Sequence, residues 1–190
     1  MTDLVSENLA FGDVETTGLD SATESLLQIA VIVTDYDLNE KDPAGFERTV
    51  YYSPEDAAAL YHSSDPFVQS MHTANGLWET LPFGTPLEQV DDELLEYLSG
   101  FGAKRSLRLA GNSVRLDLNF MEQHLPKSYE QLHYRFIDFT GVHQLSSKWF
   151  SIPEMQKSSN HLAMDDIRAC IEQARFLKRS LAAASPIEGR

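Results

Sequence analysis

Residues Leu26 to Tyr36 read LLQIAVIVTDY, an apolar and largely β-branched run. Eleven such residues fall short of the roughly 18 that a membrane span requires. A run of this length and composition is a strand buried on both of its faces. A strand of that kind sits in the middle of a sheet that other elements cover on both sides. The rest of the chain therefore has to supply flanking strands and the helices that cover them.

The neighbouring segments supply both. Leu9 to Val14 reads as a first strand ending in a Thr-Thr-Gly turn, and Glu47 to Tyr52 alternates as a hairpin partner of the central run. From Ser53 to Leu98 the pattern is helical, broken at Asp65-Pro66, at Asn75-Gly76 and by the loop from Pro82 to Pro86. Leu107 to Ala110 is a short strand, a Gly111-Asn112-Ser113 turn follows, and a helix runs from Val114 to Leu125. Phe136 to Phe139 is a last strand. The final helix runs from about Ala163 to Leu181, with Ser158, Ser159 and Asn160 before it as turn and capping candidates. Strands first, then helices, then strands alternating with helices predict an α/β fold with a mixed five-stranded sheet flanked by helices.

At 190 residues the chain suits one domain, expected over residues 1–184. The last residues, 185–190, end in Ile187-Glu-Gly-Arg190, which resembles a protease-site linker and is set apart from the fold. The polar, acidic start from Met1 to Asn8 does not read as a signal peptide. A single cysteine, Cys170, excludes an internal disulfide framework and fits a reducing cytoplasm.

The formal net charge is −14. Proteins that grip long nucleic acid carry a basic stripe to neutralise phosphates. Here the densest basic clusters are Lys104-Arg105-Arg108 and Arg175-Lys178-Arg179. A nucleic-acid substrate for this chain is therefore expected to be short, with bound cations supplying local positive charge. On charge alone the acidity is equally a solubility device.

Side chains at i and i+2 of a strand share a face. Leu9, Phe11, Asp13 and Glu15 thus form a face that starts apolar and ends in two carboxylates. Carboxylates this close repel unless a cation lies between them, and oxygen-only ligands favour Mg²⁺ or Mn²⁺ over zinc. With 29 acids in 190 residues, roughly four acid-x-acid pairs arise by chance, so this pair alone is not distinctive. Asp117 borders the helical stripe Val114, Leu118, Met121 and Leu125, in the first turn of a helix that follows a strand, where α/β folds place ligands. As an acid at a helix N-terminus it also complements the dipole without any further role. In the last helix Ile167, Cys170, Ile171, Ala174 and Leu177 face the core, while Asp165, Arg168, Glu172 and Arg175 face solvent. Asp166 lies a turn before Cys170, next to the core, and is the better ligand candidate of the Asp165-Asp166 pair. His161 precedes that helix in a loop. His62, His124, His133 and His143 read as structural, and His72 stays open.

Five segments in order carry a resemblance: Gly12 to Asp20 (GDVETTGLD), His72 to Leu77 (HTANGL), Gly111 to Pro126, His133 to Asp138 and His161 to Arg168 (HLAMDDIR). Together they resemble the 3′-to-5′ exonuclease superfamily named for its Asp-Glu-Asp-Asp metal ligands, in its histidine branch. Within it the chain is most similar to the oligoribonucleases, which degrade the last short oligonucleotides of RNA decay. The resemblance implies a ribonuclease H-like fold and two divalent metal ions, Mg²⁺ or Mn²⁺, held by Asp13, Glu15, Asp117 and Asp166, with His161 as general base. It places a wedge against a base at Leu19, an aromatic platform at Phe67, a substrate contact at His72 and a terminal-phosphate grip at Ser113, Arg135 and Thr140. It also implies a homodimer in which Tyr134 caps the partner's substrate. Val14 and Thr16 depart from the usual oligoribonuclease pattern. So do Phe67, where tryptophan is usual, and Thr140-Gly141, where Ser-Thr is usual. These departures bear on the choice of substrate, short RNA or DNA. The competing readings are a proofreading or ribonuclease T-like exonuclease acting on longer single strands, a nuclease specific for short oligodeoxynucleotides, and a nucleotide-binding module without activity.

Overall fold

The computed structural model describes residues 6–153 and 161–184. Five strands form one mixed sheet in the order β3-β2-β1-β4-β5: β1 is Asn8–Thr16, β2 Leu26–Asp35, β3 Phe46–Thr49, β4 Arg108–Gly111 and β5 Ile137–Asp138. β1 pairs antiparallel with β2 and parallel with β4. β2–β3 is antiparallel and β4–β5 parallel. The apolar run expected to be central is β2, buried from Leu26 to Thr34.

The helices are α1 (Pro54–Ser63), α2 (Pro66–Ala74), α3 (Leu77–Thr80), α4 (Leu87–Ser99), α5 (Arg115–His124), α6 (Pro126–Gln131), α7 (Phe139–Phe150) and α8 (Ala163–Ala183). The breakers mark their ends. Ser53 and Asp65 cap α1 and α2 by accepting from the Asp56 and Phe67 amides, each with proline at the first helical position. Gly76 takes a left-handed φ of 76° in the turn after α2, which glycine tolerates without strain.

Strand alternation sorts the core into two layers. Leu9, Phe11, Ala30 and Ile32 pack against Ile167, Cys170, Ile171 and Ala174 of α8. Ala10, Val14, Ile29, Val31 and Leu109 face the other way, onto Val90, Leu94 and Leu98 of α4 and Val114, Leu118 and Met121 of α5. Among the described residues no helix is long and apolar enough to cross a membrane.

Three local expectations need correction. The last strand is only Ile137–Asp138, because Asp138 caps a helix by accepting from the Thr140 amide at 2.9 Å. That helix, α7, was not read from the sequence at all. The hairpin partner is Phe46–Thr49, shorter than Glu47 to Tyr52: the ladder with β2 ends at Thr49, and Val50, whose amide still donates to the Leu27 carbonyl at 2.8 Å, bridges Thr85 on its other side. Ser158, Ser159 and Asn160 lie outside the described residues, as does the 185–190 tail. The N-cap position of α8 is Leu162, without a side-chain cap.

Candidate active site

β1 runs past the end of β4: their pairing stops at Phe11 with Ala110, and the chain after Gly111 turns away into α5. The end of β1 is therefore open towards α5 and α8, and it carries Asp13 and Glu15 on the face that α8 covers. Packing of Ile167 and Cys170 on Phe11 sets the first turn of α8 over that end. The Ala163 amide donates to Gln28 Oε1 at 3.2 Å and ties the start of α8 to β2. As a result one carboxylate oxygen from each of Asp13, Glu15 and Asp166 lies within 4.8 Å of the others. Glu15 and Asp166 are buried and Asp13 is half-buried.

Asp117 reaches the same place from the opposite layer. Its Oδ1 accepts from the Val14 amide, between Asp13 and Glu15, at 3.0 Å. The side chain is buried, as its position beside the Val114-Leu118-Met121 stripe implies. It stands next to the three-acid group rather than within it. Three mutually close carboxylates, two of them buried, form an oxygen-only donor set that fits a hard divalent cation.

His161 is half-buried at the mouth of α8 with a left-handed φ of 51°. The Asn75 side chain, at the C-terminal end of α2, donates from Nδ2 to the His161 carbonyl and accepts from the Leu77 amide. One asparagine thus joins the α2–α3 turn to the histidine loop. The sequence pointed to Asn75 only as half of an Asn-Gly breaker.

His72 requires a correction. Its ring is fully buried and offers no surface for a substrate. Nε2–H donates to the Thr16 carbonyl at 3.2 Å and lies 3.9 Å from Glu15 Oε2. Burial lowers its pKa, the bond to the Thr16 carbonyl opposes that shift, and His161 nearby adds to it. The ring is a buried support beside Glu15.

The other substrate candidates lie on exposed or turn positions. Leu19, in the loop after β1, is 80% exposed, and Phe67, in the first turn of α2, is 68% exposed. Ser113 sits at φ 55° and donates its amide to Asp138 Oδ1 and Thr140 Oγ1, at 3.1 and 3.0 Å. Ser113 and Thr140 are thus brought together where β4 and β5 end. Tyr134 is exposed, its ring stacked on His133 and the Arg135 guanidinium 5.1 Å from its centre.

Residues 11–174 match the family model described as Exonuclease. The chain is 36% identical over 187 residues to an oligoribonuclease of Leifsonia xyli subsp. xyli, covering 95% of this chain and 87% of that one. It is 33% identical to an oligoribonuclease of Cutibacterium acnes, over 94% and 88% of the two chains. In three dimensions it resembles E. coli exonuclease I in complex with a dT13 oligonucleotide, with a TM-score of 0.68 and 15% identity. That match covers 92% of this chain and 41% of exonuclease I. Exonuclease I from Methylocaldum szegediense gives a TM-score of 0.69 at 18% identity, over 90% of this chain and 40% of that one. The chain spans about two fifths of these larger enzymes, and the likeness to them is one of fold, the ribonuclease H-like sheet. The sequence relationship reaches further: this chain belongs to the exonuclease family, among the oligoribonucleases.

Proposed function

We propose that the protein is a 3′-to-5′ exonuclease that hydrolyses very short oligonucleotides, dinucleotides upwards, to 5′-mononucleotides. The observation that carries this reading is the convergence of Asp13, Glu15 and Asp166 at the end of β1, in a chain of this family. Asp13, Glu15, Asp117 and Asp166 would hold two divalent cations, Mg²⁺ or Mn²⁺. When bound, such ions activate a water and stabilise the leaving 3′ oxygen. His161 would act as the general base that accepts a proton from the attacking water. Asn75 fixes the backbone that carries the imidazole, and His72 steadies Glu15 from below.

Leu19 and Phe67 offer exposed apolar surface for bases. Ser113, Arg135 and Thr140 grip the terminal phosphate. In a homodimer Tyr134 would cover the phosphate held by the partner subunit, closing the pocket after a nucleotide or two. The −14 charge supports short substrates, because a long phosphate backbone finds no basic track. RNA decay in the cytoplasm is the setting that fits the relatives' name.

The test is a length series of labelled RNA and DNA with the metal-loaded protein. Dinucleotides are expected to be cleaved faster than 20-mers at equal concentration. Rates that rise with length would overturn the short-substrate reading in favour of a proofreading-type enzyme.

A further inference from the structure

The run from Leu26 to Val33 in β2 is apolar except at one position, Gln28. This side chain is buried, and an amide among apolar groups is costly unless it is hydrogen-bonded. By strand alternation Gln28 shares a face with Ala30 and Ile32, the face that α8 covers. In the register of β1 with β2 it stands directly opposite Glu15. Cross-strand partners lie on one face of a sheet, so Gln28 and Glu15 are neighbours at the start of α8.

Gln28 supplies what that start lacks. The first bond of the helix runs from the Asp166 amide to the Leu162 carbonyl, at 3.0 Å, so the Ala163 amide comes before the ladder. Leu162 stands at the N-cap position and has no side-chain oxygen to meet it. Ala163 is fully buried, which keeps water from its amide. The acceptor comes from another element: Gln28 Oε1, 135 residues away in the chain, at 3.2 Å. A glutamine of a central strand thus caps the helix that carries Asp166.

The same short segment is held from its other end. The Asn75 side chain donates to the His161 carbonyl while Gln28 accepts from the Ala163 amide, so two side-chain amides bracket Leu162. His161 keeps a left-handed φ of 51°. A non-glycine residue in that region is strained and persists only where its surroundings over-determine it. Asn75 secures one end of the segment to α2, and Gln28 secures the other to the strand that pairs with Glu15.

We propose that Gln28 is a positioning residue of the active site: by capping α8 from β2 it sets His161 and Asp166 in place relative to Glu15. The proposal rests on the exonuclease reading, in which His161 is the base and Asp166 a metal ligand. What the position requires is an oxygen acceptor. Gln28→Glu keeps that oxygen and adds a charge that a helix N-terminus favours. Gln28→Met keeps the length of the side chain and removes the acceptor.

The test compares these two variants with the wild type. In the metal-free proteins, hydrogen exchange over residues 161–168 reads the clamp itself, and it should be faster in Gln28→Met and protected in Gln28→Glu. In the metal-loaded proteins, kcat for a dinucleotide, per folded molecule, is expected to fall about tenfold in Gln28→Met with little change in KM. Gln28→Glu should restore it. If Gln28→Met does not fold, Ala163→Pro removes the same bond from the donor side, and the same loss of kcat is expected. Proline suits the first helical position, and Leu162, at φ −119° and ψ 124°, already has the extended backbone that precedes a proline. A cap with no part in positioning would lower the melting temperature and leave kcat per folded molecule intact. That result, or equal losses in Gln28→Met and Gln28→Glu, would overturn the proposal. A wild type inactive on dinucleotides would overturn the exonuclease reading and the proposal with it, whereas an active wild type matched by Gln28→Met overturns the proposal alone.

Discussion

Two groups of buried acid in this molecule solve opposite problems. Asp91, on α4, is 3% exposed, and its carboxylate is met by donors. Oδ1 accepts from the Ser128 amide and hydroxyl at 2.8 and 2.7 Å, and Oδ2 from the Lys127 amide at 3.0 Å, all in the first turn of α6. At the end of β1, Asp13, Glu15 and Asp166 turn carboxylate oxygens towards one another within 4.8 Å. Asp91 is a buried charge neutralised by the fold's own dipoles and amides. The cluster gathers like charges that the fold holds close together through the packing of α8 on β1. Burial pattern alone does not distinguish them, since both kinds of acid adjoin an apolar face; only the order of the five segments singles out the cluster. The difference lies in what faces the carboxylate, and it predicts opposite responses to mutation.

The largest effect is expected from Asp13→Asn. It should reduce dinucleotide hydrolysis to background while raising the melting temperature of the metal-free protein. Each like-charge pair at this separation opposes folding by roughly 1–3 kcal/mol between the water and protein-surface limits. A variant that is inactive and less stable would mean that the cluster is a structural device of the Asp91 kind. His161→Ala should lower turnover about 10²–10⁴-fold with short-oligonucleotide binding retained. Loss of binding together with turnover would make His161 structural.

Asp91→Ala should show the reverse pattern. Removing the acceptor strands two amides and a hydroxyl, at a cost of about 3 kcal/mol read by denaturant unfolding. Turnover per folded molecule should be unchanged. A fall in turnover would break the division between the two groups. The smallest effect is expected from Asn75→Ala, about tenfold in kcat with little change in KM, the size typical of a residue that orients another. If kcat is unaltered, the bond to the His161 carbonyl does not position the base.

How far the sequence reveals this arrangement depends on the range of the interactions involved. The LLQIAVIVTDY run and the stripes of α5 and α8 state their burial in their own periodicity, so the sheet and its two covering layers are legible. Asp117 and Asp166 are legible for the same reason, as charges at the border of a stripe. The four-acid grouping became specific only through the order of five segments, because acid-x-acid pairs are common in so acidic a chain. What stayed hidden depends on contacts between distant parts. His72 reads as an open polar residue, yet Thr16 and Glu15, from a different element, make it a buried support. Asn75 gains its importance from His161, 86 residues away. α7 was missed because its start is set by the Asp138 cap, in a segment whose aromatic residues read as strand.

The central claim is that the acids at the end of β1 hold the divalent cations that hydrolysis requires, and calorimetric titration of Mn²⁺ into the metal-free protein tests it most directly. Wild type and Asp91→Asn should bind Mn²⁺ alike, and Asp13→Asn should lose most of that binding, with dinucleotide hydrolysis tracking the bound metal in all three proteins. Unimpaired Mn²⁺ binding by Asp13→Asn, or full hydrolysis by the wild type in excess chelator, would contradict the account.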